Sequence, residues 1–213
     1  MASGRSVRFL EQRLEPLHRR LAEFNRLRLT PSLELSDWQQ QLRQEYELRV
    51  VEGHFLESER ARVRELARSA PAQPREFLRW LHSLRADAAA QSEPLFRWVA
   101  QHATLSDMSW FLAQELTGED DLEDLLALAQ VKRPRRAKVE IARNYWDEMG
   151  QGSGVYLLAQ LKHDLHMDAT EMPPWENLAR SNLMLGLAPN RRYGFQLLGA
   201  LGMAVQRFQL GAR

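Results

Sequence analysis

Cysteine is absent from the 213 residues. That excludes disulfides, thiolate nucleophiles and Cys-held zinc or iron–sulfur clusters, so any metal must be held by Asp, Glu, His or backbone oxygen. Net charge is nearly absent too: 29 Lys and Arg stand against 28 Asp and Glu, a formal +1. This balance gives no global reason to expect nucleic acid or an anionic membrane as partner. No apolar run approaches the roughly 18 residues of a membrane span, and the opening MASGRSVRFLEQRLEP has no apolar stretch of signal-peptide length. A cytoplasmic protein is the expectation. A Gly-rich phosphate loop, a dinucleotide fingerprint and a Ser–His–Asp arrangement are also missing. Gly and Pro are few, 11 and 9, and sit as punctuation. No strand of alternating β-branched residues stands out.

What is present is helical periodicity on an ordinary globular composition, 44% hydrophobic and 27% charged. The spacing predicts a helix over residues 5–29, with Phe9, Leu10, Leu14, Leu17, Leu21 and Phe24 on one side and Arg13, Arg19, Arg20 and Arg26 opposite. Thr30-Pro31-Ser32 breaks it. Ser36 or Asp37 caps a second helix reaching about Ser69. Its first half carries Trp38, Leu42, Tyr46, Val50 and Phe55, and its second half carries i,i+4 Glu–Arg pairs. Residues 70–74 read as a linker, which makes residues 1–70 a charged helical arm on a main body of residues 71–213. Further helices are expected over residues 77–90 and 94–102, then from Thr104 or Ser106 to Gly118 and along EDDLEDLLALAQ. Three more are expected over 155–166, 175–187 and 193–208. The class is all-α, a helical bundle with short connections.

The stretch that draws attention is KVEIARNYWDEMGQG, Lys138 to Gly152. At 3.6 residues per turn, Glu140, Asn144 and the Asp147/Glu148 pair fall along one side, with Ile141, Tyr145 and Met149 as an apolar stripe beside them. Such a line of acids is either a metal or proton-handling site inside a bundle or a solvated face. Glu115 and Glu119 stand one turn apart across Gly118. Together with Glu140 and Glu148 they are the kind of oxygen set that holds a di-iron or di-manganese centre, although the Glu-x-x-His spacing that usually accompanies it is missing. Read blandly, Glu119 to Asp124 are first-turn acids in water. His163 and His166, with Asp164 or Asp168 nearby, are either a metal pair or a cationic helix end. His102 reads as a turn residue, and His18, His54 and His82 carry no partner pattern. The basic run Lys132, Arg133, Arg135, Arg136 and Lys138 suits an acidic partner or internal salt bridges to the acidic helix before it. Arg191-Arg192-Tyr193 sits at a helix start and fits either an anion or plain packing.

From Pro94 onward the chain resembles the iron-containing redox enzyme family, within the heme-oxygenase-like di-iron oxidases. The residues that carry the resemblance are PLFRWVAQHAT, Trp110-Phe111 to Gly118-Glu119, LLALAQVKRP, EIARNYWDEMGQG, WENLARSNLMLGLAPNRRYGF and LGALG. The resemblance implies a heme-oxygenase-like helical bundle whose active members bind iron and use O2 on small amino-acid- or fatty-acid-like substrates. It places Glu148 on the carboxylate ligand of the Asp-Glu-x-Gly motif. Three departures follow. SGVYLLAQL has no His where relatives carry one, Gln196 stands where a further Glu or His ligand is expected, and the chain stops at Arg213 before the family's last ligand-bearing helix.

The resulting expectation is a divergent or truncated member with an incomplete metal site, a non-catalytic or accessory binding protein unless a partner chain completes it. No cofactor is expected as encoded. A homo-oligomer or protein partner is expected to cover Leu197 to Phe208, which the missing helix would leave exposed. The competing expectation is an active iron-dependent oxidase or oxygenase with rearranged ligands, drawing on Glu115, Glu119, Glu140, Glu148 and His163 or His166.

Overall fold

The computed structural model of the chain describes residues 4–31, 37–116, 122–152 and 173–211. Among these every regular element is a helix and no strand occurs, as the periodicity predicts. In order they are α1 (Gly4–Leu29), α2 (Trp38–Arg62), α3 (Arg64–Arg68), α4 (Pro74–His102), α5 (Leu105–Leu116), α6 (Leu122–Gln130), α7 (Arg135–Glu148), α8 (Trp175–Leu187) and α9 (Gly194–Gly211). Short 3-10 turns occupy Gly150–Gly152 and Arg191–Tyr193. The helix expected over residues 155–166 lies outside the described residues.

Local chemistry sets the ends. Asp37 Oδ1 accepts from Gln39 N at 2.9 Å and starts α2. At α5, Thr104 Oγ1 accepts from Asp107 N at 3.2 Å while Asp107 Oδ2 accepts from Thr104 N at 2.9 Å, a reciprocal capping box. Pro134 and Pro174 precede α7 and α8. Two expected boundaries move. The helix expected to run to about Ser69 breaks at Val63 and resumes as α3. The two helices expected on either side of Pro94 are one, α4, because a single lost N–H leaves the bonds of the adjoining turns to carry the helix across.

The chain forms two compact units, Met1–Leu56 with Ala113–Arg213, and Glu57–Leu112. Within the first unit α1 packs mainly on α8. In the first unit α6 and α7 form an antiparallel hairpin, and α9 packs on α8 and α6. Leu56, Leu125, Leu126, Ala129, Ile141, Leu185, Leu187, Ala188, Tyr193, Leu197 and Leu201 make its continuous core. Each fully buried Leu contributes about 1.5–3 kcal/mol relative to exposure. Leu197 and Leu201, in the stretch expected to need an external cover, are buried within the chain itself; the side chains from residue 203 onward are outside the described residues.

α2 turns a different face inward than its apolar residues suggest. Glu52 and Leu56 are buried, while Trp38, Leu42, Tyr46 and Val50 are exposed. The reason is Gly186 on α8: with no side chain there, α2 approaches so closely that a Cβ at Gly186 would lie 3.2–3.3 Å from Leu56 Cδ2 and Glu52 Cγ and Oε1.

In the second unit, Phe77 lies against Trp80 with ring centroids 5.6 Å apart, and Phe96 meets Phe111 edge-on at 6.4 Å. A surface cleft of about 450 Å³ opens at the start of α4, lined by Gln73, Pro74, Arg75, Glu76 and Arg79. Among the described residues no helix is long and apolar enough to cross a membrane.

Candidate functional site

α7 presents the two stripes that its spacing predicts. Ile141 is buried in the core, with Tyr145 packed against it. Beyond Glu148 the helix stops because Gly150, Gln151 and Gly152 all take positive φ, 60°, 55° and 82°. At Gly152 a Cβ would also meet the Trp146 ring at 3.0 Å, so glycine is required there on two counts.

The acidic stripe divides along its length. Glu140 is exposed and bound by Arg143, whose Nη1 donates to both carboxylate oxygens at 2.9 and 3.0 Å. Asn144 donates to the Glu140 carbonyl at 2.8 Å. Asp147 is exposed and accepts from Gln151 Nε2 at 3.3 Å. Glu148 alone turns partly inward. Burial holds its carboxyl above the usual range, and the negative charges of Glu123 and Asp147 add to the effect. Glu123 comes from the first turn of α6, brought to the end of α7 by the antiparallel hairpin.

Of the four expected ligands, then, Glu148 is half-buried and Glu140 points to solvent. The Glu115 side chain and all of Glu119 lie outside the described residues, as do His163, His166, Asp164 and Asp168. Gln196, His54, His82 and His102 are exposed. Glu123 falls in the run that reads in the sequence as solvated first-turn acids. The hairpin lengths could have located it, since two short helices joined by a tight connector must place the start of one beside the end of the other. Among the described residues no group of three or more His, Asp and Glu is arranged to hold a metal ion. The oxygen donors that the described residues bring together are Glu148 and Glu123, with Asp147 beside Glu148.

The polar groups that the fold does bury lie at the meeting of α1, α2 and α8. Asn25 Nδ2 donates to Asn182 Oδ1 at 2.8 Å, and Asn182 Nδ2 donates to the His18 carbonyl at 2.8 Å. The buried His18 ring stacks on Trp175 at 5.7 Å and meets Phe55 edge-on at 4.9 Å. Arg28 and Glu52 form an ion pair at 2.9 Å with side chains 7% and 2% exposed. Arg28 Nη2 also donates to the Leu185 carbonyl at 2.8 Å, and Arg49 reaches Glu52 at 3.1 Å. Phe24 lies under both cations, its ring 4.6 Å from the Arg28 guanidinium carbon and 5.9 Å from that of Arg49. Burial pulls Arg28 below its ordinary range, against the opposing pull of the Glu52 charge. These groups lock three helices together.

Residues 109–208 match the family model of the iron-containing redox enzymes. The match takes in α6, α7 and α8 whole, and with them Glu123 and Glu148. The all-α fold agrees with the heme-oxygenase-like architecture of that family. No curated protein and no solved structure matches the chain.

Proposed function

We propose that this chain, which over residues 109–208 belongs to the iron-containing redox enzyme family, is a heme-oxygenase-like protein with an incomplete iron site. It acts as a non-catalytic or accessory binding protein unless a second chain completes the donor set. The observation that carries this reading is the setting of Glu148. The charges acting on its carboxyl are two further carboxylates, Glu123 and Asp147, and the acid two turns back, Glu140, is turned away to Arg143. Oxygen donors without imidazole nitrogen hold iron weakly, because such sites need several mixed donors in fixed geometry.

A second reading has its own observation. The Glu148 carboxyl, its proton affinity raised in part by Glu123 on the facing helix, belongs to a pair whose repulsion a bound cation would relieve. Joined by His163 or His166, and by Glu115 and Glu119, Glu148 would then serve an iron-dependent oxidase or oxygenase acting on a small amino-acid- or fatty-acid-like substrate.

One experiment separates the two. Full-length protein is loaded anaerobically with Fe(II), desalted and analysed for metal, beside Glu148→Ala. The first reading expects well under one iron per chain in both proteins. About two irons per chain, lost in Glu148→Ala, would establish the second.

A further inference from the structure

The end of the α6–α7 hairpin opposite Glu148 carries its own charge pattern. Residues 131–139 and 188–200 contain Lys132, Arg133, Arg135, Arg136, Lys138, Arg191 and Arg192 and not one Asp or Glu. The chain as a whole is +1, so everything outside these two segments sums to −6. The near-neutral total conceals a strong local asymmetry.

The fold brings the two segments together through guanidinium groups. Arg133 Nε donates to the Ala129 carbonyl at 3.2 Å, and its Nη2 donates to the Gly194 carbonyl. Arg191 Nη1 donates to the Leu128 carbonyl at 3.2 Å, and its Nη2 donates to the Val131 carbonyl. Both arginines thus satisfy carbonyls at the end of α6 and fix the face in place. Lys132, Arg135, Arg136 and Lys138 are exposed and make no ion pair among the described residues. Elsewhere Arg19, Arg26, Arg60, Arg62, Arg68 and Arg143 each hold a carboxylate three or four residues away, while Arg20, Arg43, Arg64, Arg75 and Arg79 are exposed without an ion pair among the described residues but lie outside so dense a basic run. Beside the open cations stands Phe195, 80% exposed, with the Arg133 guanidinium 5.2 Å from its ring, and Val131 and Val139 are about half exposed.

We propose that this face docks an acidic segment of a partner protein that also carries apolar side chains. Its chemistry separates it from other anions. A free phosphate would leave Phe195 and Val131 uncovered. A duplex or an anionic bilayer is an extended polyanion, and the net charge of −6 carried by the rest of the chain opposes its approach. A short acidic segment meets the cations locally and buries the exposed ring. The inference does not depend on the iron reading, since it uses none of the same residues.

The test is fluorescence anisotropy of the full chain with a labelled peptide of Glu, Asp, Leu and Phe. Its Gln/Asn counterpart, a single-stranded oligonucleotide and phosphatidylserine vesicles serve as rival probes. The acidic peptide should bind, lose about tenfold in affinity between about 50 and 200 mM salt, and outcompete the rivals. R135E/R136E should weaken binding roughly tenfold or more with an unchanged circular dichroism spectrum, and Phe195→Ser should weaken it severalfold. Arg75→Glu with Arg79→Glu, in the second unit, should change nothing. If R135E/R136E loses its helical signal, Arg135→Gln with Lys138→Gln takes its place. No binding of the peptide, equal binding by the charge-reversed or neutralised variant, or tighter binding of oligonucleotide or vesicles would overturn the proposal.

Discussion

Replacing Glu52 by Gln keeps the shape of the side chain and removes its charge. Arg28 is then left as a cation with 7% of its side chain exposed, its paired carboxylate gone and the more distant charge of Glu45 remaining. Its Nη2 keeps the Leu185 carbonyl, and the Phe24 ring remains beneath it. Among the described residues its Nε and Nη1 have no acceptor to compensate. Breaking one side of a buried pair typically costs 3–5 kcal/mol. The retained carbonyl and ring put the expected loss here at about 3 kcal/mol. The partly exposed Arg49 adds little, because exposed pairs are worth about 0.2–1 kcal/mol.

For a chain of this size a loss of about 3 kcal/mol lowers the thermal midpoint by roughly 6–12 °C, which circular dichroism in a urea or thermal series reads directly. The companion variant R28M/E52L removes both charges and should recover most of the loss. About 1 kcal/mol should remain missing because the Leu185 carbonyl loses its donor. The double-mutant cycle isolates the coupling. A Glu52→Gln loss below about 1 kcal/mol, or a double variant as unstable as the sum of the singles, would refute a buried ion pair as the clasp between α1 and α2.

Asn182→Ala removes the bridge from Asn25 to the His18 carbonyl in a site where Asn182 is 1% exposed, and should cost about 2 kcal/mol or more in the same urea series. Gly186→Ala ordinarily gains about 1 kcal/mol in a helix. Here the added Cβ meets a Glu52 side chain clamped by two arginines, so a net loss of about 1 kcal/mol is expected. Glu148→Gln tests the carboxylate pair through pH. The folded-state pKa is raised by burial and by Glu123 and Asp147, so the folded protein binds the proton more tightly than the unfolded chain. Glu148 therefore lowers stability progressively as pH rises from the unfolded value through the raised one. The Gln variant should be more stable at neutral pH, by under about 1 kcal/mol for a half-exposed group, and the gain should vanish in acid. A variant equally stabilised at every pH would show that the carboxyl charge is not the cause.

Much of the fold was legible because helix ends obey local chemistry. Asp37, Thr104, the Gly150–Gly152 break and the span of α8 follow from caps and left-handed residues that a sequence displays openly. The buried face of α2 was not legible. Trp38, Leu42, Tyr46 and Val50 look like a core stripe, yet the packing is decided by Gly186 on a helix more than a hundred residues away and by an Arg–Glu pair that no periodicity marks. Asn25 and Asn182 hid for the same reason, as polar residues at positions where a helical pattern asks for apolar ones. In the candidate site, the motif singled out Glu148 but could not tell its inward turn from Glu140's outward one. Glu140 is held outward by Arg143 three residues on, whereas Glu148 sits where the packed hairpin partly covers α7.

The α6–α7 hairpin carries carboxylates at one end and, at the other, the exposed Lys132, Arg135, Arg136 and Lys138, which form no ion pair among the described residues. Along α7 the two ends are separated by 14 residues, about 20 Å of helix. The screening length at physiological salt is about 8 Å, so little of either charge reaches the other through solvent. Charge reversal at Arg135 and Arg136 should then leave the pH dependence attributed to Glu148 unchanged, and Glu148→Gln should leave peptide binding unchanged. Coupling between the two ends that persisted at high salt would have to pass through the packed helices themselves, and would tie the carboxylate pair to whatever docks on the basic face.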